Sequence, residues 1–409
     1  LPSSRAGEHV FDIGIIGELW SNDRVFAEHL ARAGLKPSVA TRRRAPVPRD
    51  AEIAPGFHRC WDPSEEVDCL TPYSLWRWAR ACKVVLSFTG ALAFGLRELW
   101  PLRSLLGLPP VVNFWTGSDI LEAVRQQSRH QRLYRQILRF GSLNWCPPYP
   151  RAIENLVQLR ADRVVFLDYP FALPQSGPEL PEPERPVQES DHPLVFLHPS
   201  HLDWGINDPA AGRYSTKGND RFIRAFARAV KSGLHAQCLV VSRGPDVRPA
   251  QALVAECGLT EHVQWLPSLT RGELFRRYAQ ADVVVDQFDV GGLGGIAIEA
   301  MAMGKPVLTF VDEQAARLQY DDPPPVLNCR TEDEICDRIM GCNDGAFLRE
   351  LGQRARSWAT RHHDWGHCLH RFLFWHATLT GDAEPLKRYA TLTGSMRPDP
   401  LPPTRKVGG

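Results

Sequence analysis

The sequence predicts an α/β protein made of two doubly wound domains, each built on a mainly parallel sheet. Three observations lead to this fold class. Short runs of β-branched residues alternate with longer helical stretches, the runs are continuously apolar, and a segment rich in Pro and Glu divides the series in two. Continuous apolar runs are typical of strands buried on both faces of a parallel sheet, and their alternation with helices indicates βαβ units.

The composition is that of a globular protein of enzyme size. The chain has 409 residues, of which 43% are apolar and 23% are charged, so it can form about two or three domains with sizeable cores. Its formal net charge is +1. Because this balance produces no strong field, the sequence gives no reason to expect nucleic acid as a partner.

Cysteine usage and hydropathy favour a cytoplasmic setting. The 10 cysteines include no Cys-x-x-Cys pair, and a cysteine in an apolar run usually packs as a small buried hydrophobe. No apolar stretch approaches the ~20 residues of a membrane span, and Leu1 to His9 lacks the apolar core of a signal peptide. We therefore expect reduced cysteines and a cytoplasmic protein, with the inner face of the membrane as an open alternative.

The first domain is expected over residues 1–180. Its predicted elements are strands over Phe11–Ile16, Lys83–Phe88, Val111–Phe114 and Arg163–Leu167 and a helix over Asp23–Ala33. Residues 41–80 hold many Arg and Pro and several Trp, and they stay unassigned. Residues 174–193 are rich in Pro and Glu and poor in apolar side chains, which is the composition of a linker.

The second domain is expected over residues 181–360. The predicted strands are Leu194–His198, Cys238–Ser242, Val263–Leu266, Val283–Asp286 and Val307–Phe310, and the predicted helices are Asn219–Lys231, Arg271–Gln280 and Ala297–Met303. Two such domains bind their ligand between the sheets, beyond the carboxyl ends of the strands. Residues 361–385 are expected to form a helix that crosses back to the first domain, and residues 395–409 a tail.

The most informative segment is Val283–Phe310, which reads VVVDQFDVGGLGGIAIEAMAMGKPVLTF. A buried strand runs into a glycine-rich loop, and a short helix follows. Loop glycines let the backbone approach a ligand, and the start of a helix offers N–H groups to an anion. The pattern alone leaves open a tight strand-to-helix turn that binds nothing.

The stretch GIAIEAMAMGKPV resembles the signature of the family 4 retaining glycosyltransferases, whose GT-B fold has two Rossmann-like domains facing each other across a cleft. The resemblance implies transfer of a sugar from a nucleotide-sugar donor to an acceptor hydroxyl, with retention at the anomeric carbon. It assigns the donor ribose to Glu299. It assigns the phosphates of the donor to the loop residues Gly292, Leu293, Gly294 and Gly295.

One position departs from the pattern of the family. Its members usually carry a second Glu eight positions before the first, and here that position is Gly291. By resemblance, that carboxylate holds hydroxyls of the donor sugar, so the identity of the sugar stays open. Asp289 and backbone groups are the alternatives that the sequence offers.

Further passages match the same family in the right order. FLHPSHLDW, a gap and YSTKGNDRFIRAF resemble the passage that grips the donor diphosphate, which assigns that role to Lys217. The family's Arg aligns best with His201, and Arg213 is the alternative. LVVSRGPDV resembles the next strand and its turn, with Arg243 at the exit of the strand.

HVQWLPSLTRGELFRRYAQADVVVD resembles the strand that contacts the nucleobase, so backbone groups of Leu266 and Pro267 are expected there. The expelled nucleoside diphosphate gains charge as the glycosidic bond breaks, and fixed cations such as Lys217 and Arg243 stabilise that charge. We therefore expect no metal and no cofactor. For either cation alone, an ordinary surface position is the alternative.

The first domain offers weaker signals. VVNFWTGSDI resembles a Gly-Ser-Asp turn of some family members, which implies that Asp119 faces the reacting sugar or the acceptor. The alternative is a helix N-cap, a common position for Asp. The first strand-to-helix turn, with Gly17, Glu18 and Asn22, is the expected acceptor side and lacks the paired glycines often seen there.

The acceptor is expected to be a saccharide, a lipid-linked sugar or a small molecule. The stretch QQSRHQRLYRQILRF predicts a basic amphipathic helix. Such helices bind anionic membranes in some proteins, and in others they are a solvated basic face. Peripheral contact with a membrane is thus one of two open interpretations.

Two other functions fit the same fold. One is a sugar-nucleotide epimerase, and the other is a non-catalytic subunit that binds a nucleotide sugar, which the glycine at position 291 favours. The sequence has no His-Glu-x-x-His spacing, no Gly-x-Ser-x-Gly elbow and no Walker-type loop, so it lacks the patterns of zinc proteases, α/β-hydrolases and P-loop enzymes.

Overall fold

The computed structural model describes residues 10–17, 22–41, 66–69, 71–115, 120, 124, 129–140, 142–166, 192–205 and 217–387. The chain divides into two compact units. The first contains the described residues up to 166 and those from Trp365 onward, and the second contains those from 192 to Asp364. The predicted linker falls almost entirely outside the described residues, and the predicted tail does so completely.

The first unit is built on a parallel sheet. Its strands are β1 (Phe11–Ile16), β2 (Pro37–Thr41), β3 (Glu66–Asp68), β4 (Cys82–Phe88), β5 (Val111–Phe114), β6 (Leu143–Cys146) and β7 (Val164–Phe166). In the described part of the chain these seven strands lie in the order β3-β2-β1-β4-β5-β6-β7, and every pair is parallel.

Helices connect the strands of the first unit. They are α1 (Asn22–Arg32), α2 (Pro72–Arg80), α3 (Ala91–Leu96) with a 3-10 helix over Arg97–Leu102, α4 (Arg129–Phe140) and α5 (Pro150–Gln158). Local sequence explains the start of α2, because Thr71 and Ser74 form a reciprocal capping box and Pro72 occupies the first turn.

The second unit repeats the arrangement. Its strands are β8 (Leu194–His198), β9 (Ala236–Val241), β10 (Val263–Leu266), β11 (Val283–Val285), β12 (Val307–Thr309) and β13 (Leu327–Asn328). They lie in the order β10-β9-β8-β11-β12-β13, again with parallel pairs throughout the described residues.

The helices of the second unit are α6 (Asn219–Lys231), α7 (Val247–Glu256), α8 (Arg271–Gln280), α9 (Gly295–Ala302), α10 (Glu313–Ala316), α11 (Glu332–Gly341) and α12 (Gly345–His363). Capping boxes start α8 at Thr270 and α11 at Thr331. The apolar face of α6 packs onto the sheet, where the ring of Phe226 lies 5.5 Å from that of Phe196 on β8. A parallel sheet covered in this way reproduces the predicted fold class.

The order of strands reverses direction within each sheet. In the second unit the chain moves outward from β8 to β9 and β10, and then returns to place β11 on the other side of β8. Loops leaving β8 and β11 therefore diverge at the carboxyl edge of the sheet. In open α/β sheets, ligands bind at such a switch point.

A helix near the end of the chain packs into the first unit. The helix α12 stops at Asp364, whose ψ of 141° leaves the helical region, and α13 (Trp365–Thr380) begins directly after it. The ring of Phe372 meets Phe26 at 5.0 Å, edge to face, and Trp145 at 6.4 Å. The predicted segment 361–385 thus includes the end of one helix and the whole of another.

The basic helix α4 uses its apolar side within the protein. Ile137 and Leu138 are buried, and the ring of Tyr134 lies 5.0 Å from that of Phe94. Its exposed residues include Arg132, Arg135 and Arg139. No helix in the described part of the chain combines the length and the apolar character needed to cross a membrane.

Most predicted elements coincide with observed ones. Those with unchanged bounds are Phe11–Ile16, Val111–Phe114, Leu194–His198, Asn219–Lys231, Val263–Leu266 and Arg271–Gln280. Strands β2, β3, β6 and β13 were not predicted. Two of them, β3 (EVD) and β13 (LN), contain one apolar residue each, so no apolar run marks them.

Close packing between α12 and the loop after α9 yields the first testable prediction. A Cβ atom on Gly352 would overlap the carbonyl oxygen of Gly304. We expect Gly352→Ala to lower the free energy of unfolding of the second unit by about 1–3 kcal/mol, the usual effect of overpacking. Chemical denaturation followed by circular dichroism measures it.

The matched control is Gly341→Ala at the end of α11, where nothing lies within 4 Å of the added methyl group. Alanine favours helices over glycine, so this variant should be as stable as the parent or slightly more stable. Equal stability of both variants would contradict the packing described for Gly352.

Candidate functional site

Polar side chains meet where β8 and β11 end in the second unit. Ser200 follows β8, Asp286 follows β11, and both are buried. The Ser200 hydroxyl donates a hydrogen bond to Oδ1 of Asp286. Oδ2 of Asp286 is buried without a hydrogen-bond partner among the described residues, and it lies 2.7 Å from where a Cβ atom on Gly294 would be. Any larger residue at position 294 would therefore force this carboxylate to move.

Lys217 is held between the two strand ends. Its backbone N–H donates to the carbonyl of Asp203 at 3.2 Å, and its carbonyl accepts from the N–H of Phe288 at 2.8 Å. The ammonium donates to Oε1 of Gln287 at 2.8 Å and lies 3.8 Å from Oδ1 of Asp286. The hydrogen bond to Gln287 fixes the ammonium in place. The side chain is still 22% exposed, so the positive charge is accessible.

The glycine-rich loop starts next to Lys217. Gln287 donates from Nε2 to the carbonyl of Gly292 at 2.7 Å, so one carboxamide joins the lysine to the loop. Gly291 has a φ of +76°, a conformation that strains any other residue. The side chain of Leu293 is buried, and Gly294 is the N-cap of α9 without a side-chain cap.

Arg243 lies at the end of β9, in a loop tied to the loop after β8. The carbonyl of Arg243 accepts from the N–H of Leu202 at 2.8 Å. The buried carboxylate of Asp246 accepts from the N–H groups of Trp204 at 2.6 Å and Gly205 at 2.7 Å. These bonds fix the relative position of two neighbouring strand ends.

The pKa values of two histidines in this region are lower than usual. Desolvation, followed by the positive charge of Arg243, lowers the pKa of His201, and Lys217 adds to the effect. Both cations therefore act on the same imidazole. Desolvation also lowers the pKa of the fully buried His198 to about 4, so this side chain is neutral. Its Nε2 lies 3.1 Å from Nδ2 of Asn219.

Glu299 lies in α9, the helix that follows the glycine loop. It is 8% exposed, and its Oε2 accepts a long hydrogen bond of 3.5 Å from the hydroxyl of Tyr278. At the end of β10, Leu266 is buried and its carbonyl accepts from the N–H of Ser242 at 2.8 Å, while Pro267 is exposed.

The structure brings several of the predicted residues to one edge of one sheet. His201, Lys217, Arg243, Pro267 and the glycine loop all follow the carboxyl ends of neighbouring parallel strands.

Asp289, one alternative for the missing carboxylate, is engaged elsewhere, because its Oδ1 pairs with Nη2 of Arg221 at 2.5 Å.

The other predicted positions give less information. Glu18, Asp119 and Arg213 lie outside the described residues, as does the side chain of Asn22, whose backbone begins α1. Gly17 leaves β1 with a φ of +96° and approaches Phe88 so closely that a Cβ atom would lie 2.8 Å from its carbonyl oxygen.

Four contributors to this site were not predicted. They are Ser200, Asp246, Asp286 and Gln287. The available signal was the polar pair Asp-Gln directly after the apolar run VVV, because polar residues at the exit of a buried strand need hydrogen-bond partners. Among the described residues, no three His, Cys, Asp or Glu side chains are grouped so that they could hold a metal ion.

A comparison with known protein families matches the part of the chain that contains most of the candidate site. Residues 210–318 match the family model described as "Glycosyl transferases group 1". The matched region lies within the second unit and includes Lys217, Arg243, the glycine loop and Glu299.

Curated relatives match over part of their length. A GDP-mannose-dependent alpha-(1-6)-phosphatidylinositol monomannoside mannosyltransferase of Mycobacterium tuberculosis is 27% identical over 160 residues, covering 36% of this chain and 41% of the relative. A 2-deoxystreptamine glucosyltransferase of Streptomyces kanamyceticus is 33% identical over 94 residues, covering 23% and 24%. The chain thus spans less than half the length of these relatives.

Solved structures resemble nearly the whole chain. HepE from Anabaena, in complex with UDP and glucose, superposes with a TM-score of 0.60 at 15% identity and covers 94% of this chain and 100% of that one. Sucrose-phosphate synthase from Thermosynechococcus elongatus gives a TM-score of 0.58 at 16% identity and covers 91% and 100%. At such low identity these structures support the fold, and the predicted GT-B architecture of two parallel-sheet domains is confirmed.

The loop contacts of Asp246 lead to a second prediction. Asp246→Ala removes the acceptor of two backbone N–H groups, so we expect a loss of about 1–3 kcal/mol in the free energy of unfolding. Hydrogen exchange at Trp204 and Gly205 should become faster. The control is Asp333→Ala, which removes a largely exposed ion pair with Arg228 and should change stability by less than about 1 kcal/mol. Unchanged exchange at both amides would contradict the assigned role.

The buried His198 yields a prediction for pH. Its pKa in the folded protein is about 4, below the ordinary 6.5. Between these two pH values, the imidazole is protonated in the unfolded chain and neutral in the folded protein. The free energy of unfolding should therefore fall as the pH is lowered from about 6.5 towards 4. In His198→Gln this part of the fall should disappear, as measured by denaturant titration at several pH values. An equally steep fall in the variant would show that His198 is not responsible.

Proposed function

We propose that this protein is a glycosyltransferase that moves a sugar from a nucleoside diphosphate donor to an acceptor hydroxyl. The observation that carries the proposal is the fixed, accessible ammonium of Lys217 beside the glycine loop, at the switch point of the second sheet. The group 1 domain match over the same residues supports it. Because the curated relatives are matched over less than half of their length, the activity of the whole protein is a proposal.

In the proposed complex, the donor diphosphate lies against Lys217, Arg243 and the amides of the glycine loop. Glu299 binds the ribose, and backbone groups near Leu266 bind the base. As the bond to the sugar breaks, negative charge grows on the departing diphosphate, and the two cations stabilise it more strongly in the transition state than in the ground state. The charge needed there is supplied by the protein, so we propose that no metal is required.

We further propose retention at the anomeric carbon, with the departing phosphate accepting the proton of the acceptor hydroxyl. Solvent water competes with the acceptor for the activated sugar, so exclusion of water from the reacting atoms favours transfer over hydrolysis. Asp119 is proposed on the acceptor side.

The names of similar proteins narrow the substrates to test. They include a GDP-mannose-dependent enzyme acting on a phosphatidylinositol mannoside, and a structure in complex with UDP and glucose. We propose a guanosine or uridine diphosphate sugar as donor and a saccharide, a lipid-linked sugar or a small molecule as acceptor. Contact of α4 with a membrane would be electrostatic, because its apolar side chains Ile137 and Leu138 are buried in the protein.

One observation favours a second function, a non-catalytic subunit that binds a nucleotide sugar. The carboxylate of the family pattern is replaced by Gly291, whose φ of +76° suits glycine, and the nearby Asp289 is paired with Arg221. This candidate predicts tight binding of a nucleotide sugar without turnover.

The proposal is tested with Lys217→Ala. A thermal-shift screen with UDP, GDP, ADP and their sugars first identifies the donor, since a ligand that binds the folded state raises the melting temperature. Turnover is then measured as release of the nucleoside diphosphate from that donor. We expect Lys217→Ala to lower turnover at least ~100-fold, the scale of losing one electrostatic stabiliser of the transition state.

The matched control is Lys231→Ala, which removes an exposed lysine at the end of α6 and should leave turnover unchanged. Near-normal turnover of Lys217→Ala would remove this residue from the mechanism. Donor binding without turnover in the parent protein, across donors and acceptors, would favour the non-catalytic candidate.

A further inference from the structure

The side chain of Gln287 has no part in the function proposed so far, although it lies at the centre of the site. It is only 2% exposed. It accepts from the ammonium of Lys217 at 2.8 Å through Oε1, and it donates through Nε2 to the carbonyl of Gly292 at 2.7 Å. One carboxamide therefore connects a cation to a glycine-rich loop.

Chemistry allows only one orientation of this carboxamide. An ammonium group can only donate hydrogen bonds, and a backbone carbonyl can only accept them. Oε1 must therefore face Lys217, and Nε2 must face Gly292. A glutamate has no donor for the carbonyl and a leucine has neither group, so glutamine is specifically suited to this bridge.

The base of the bridge is also fixed. The carbonyl of Gln287 accepts from the N–H of Phe310 at 2.7 Å and from the hydroxyl of Thr309 at 2.9 Å. These bonds hold Gln287 to the end of the neighbouring strand β12. The adjacent carboxylate of Asp286 lies 3.8 Å from the same ammonium and adds an electrostatic attraction.

A lysine side chain is flexible, and ordering it when a ligand binds reduces affinity. Here the ammonium is ordered before any ligand arrives. It has three hydrogen-bond donors, and among the described residues it donates one hydrogen bond, to Gln287, which leaves donors for an anion.

We propose that Gln287 is a positioning residue that sets the distance between the Lys217 ammonium and the amides of the glycine loop, so that both contact one diphosphate. The inference rests on the proposed function, because it assumes that Lys217 binds the diphosphate of the donor. It predicts that Gln287 matters for the phosphate part of the ligand and leaves binding of the nucleoside part unaffected.

The experiment compares ligands that differ only in their phosphates. Calorimetry measures binding of the nucleoside diphosphate selected by the parent protein, and of the corresponding nucleoside, to the parent and to Gln287→Leu. We expect the variant to bind the diphosphate about tenfold or more weakly, as for a lost contact to a charged group, and to bind the nucleoside unchanged within about twofold. Gln251→Leu, on the exposed face of α7, is the matched control and should bind both as the parent does.

A double-mutant cycle tests whether Gln287 acts through Lys217. If it does, most of the loss caused by Gln287→Leu should vanish in a Lys217→Ala background, because coupled residues are not additive. Gln287→Glu provides a second variant of nearly the same size, in case leucine impairs folding. It keeps the acceptor for Lys217 but repels the carbonyl of Gly292 and the diphosphate, so it should also weaken diphosphate binding selectively.

The outcomes separate the two claims. If the parent binds no nucleoside diphosphate, the proposed function fails and this inference fails with it. If the parent binds one and the Gln287 variants lose diphosphate and nucleoside affinity equally, or lose neither, the inference is overturned and the proposed function stands. Full additivity with Lys217→Ala would equally overturn the positioning role.

Discussion

The candidate site depends on the parallel pairing of β8 with β9 on one side and β11 on the other. Parallel strands end at the same edge, so residues far apart in sequence leave the sheet side by side. His201, Arg243 and Gln287 each follow one of these three strands. A short loop after each strand is then sufficient to assemble the site, because the sheet has already brought the ends together.

Burial of charge imposes the second constraint. A carboxylate in the position of Asp286 has lost its water and needs hydrogen-bond donors or a cation in return. Ser200, which follows β8, and Lys217, which precedes α6, provide these. The polar cluster is thus interdependent: the carboxylate attracts the lysine, and the lysine compensates the carboxylate. The absence of a side chain at Gly294 leaves room for the arrangement.

The sequence was a good guide where local pattern determines structure. Mainly apolar runs predicted β1, β5, β8 and β10 with their observed bounds, and the glycine-rich segment with its helix was identified from the sequence pattern. It failed at β6, whose sequence LNWC has no β-branched residue and contains Asn144. The buried amide of Asn144 is satisfied because Trp115 donates to it and the carbonyls of Leu138 and Asp162 accept from it. These partners can be identified only from the folded structure. Gln287 was missed for the same reason, since its two partners lie 70 and 5 residues away in the chain.

The helix α13 has a consequence for the order in which the protein becomes structured. Phe372 contacts both Phe26 and Trp145, so the core of the first unit contains residues that precede and residues that follow the described part of the second unit in the sequence. During synthesis, the second unit can complete its own core before the first unit does. The sheet of the first unit is synthesised earlier, but part of its apolar surface stays uncovered until residues 365–380 have left the ribosome. Exposed apolar surface of this kind promotes aggregation, so the nascent chain is most vulnerable in the interval before α13 docks.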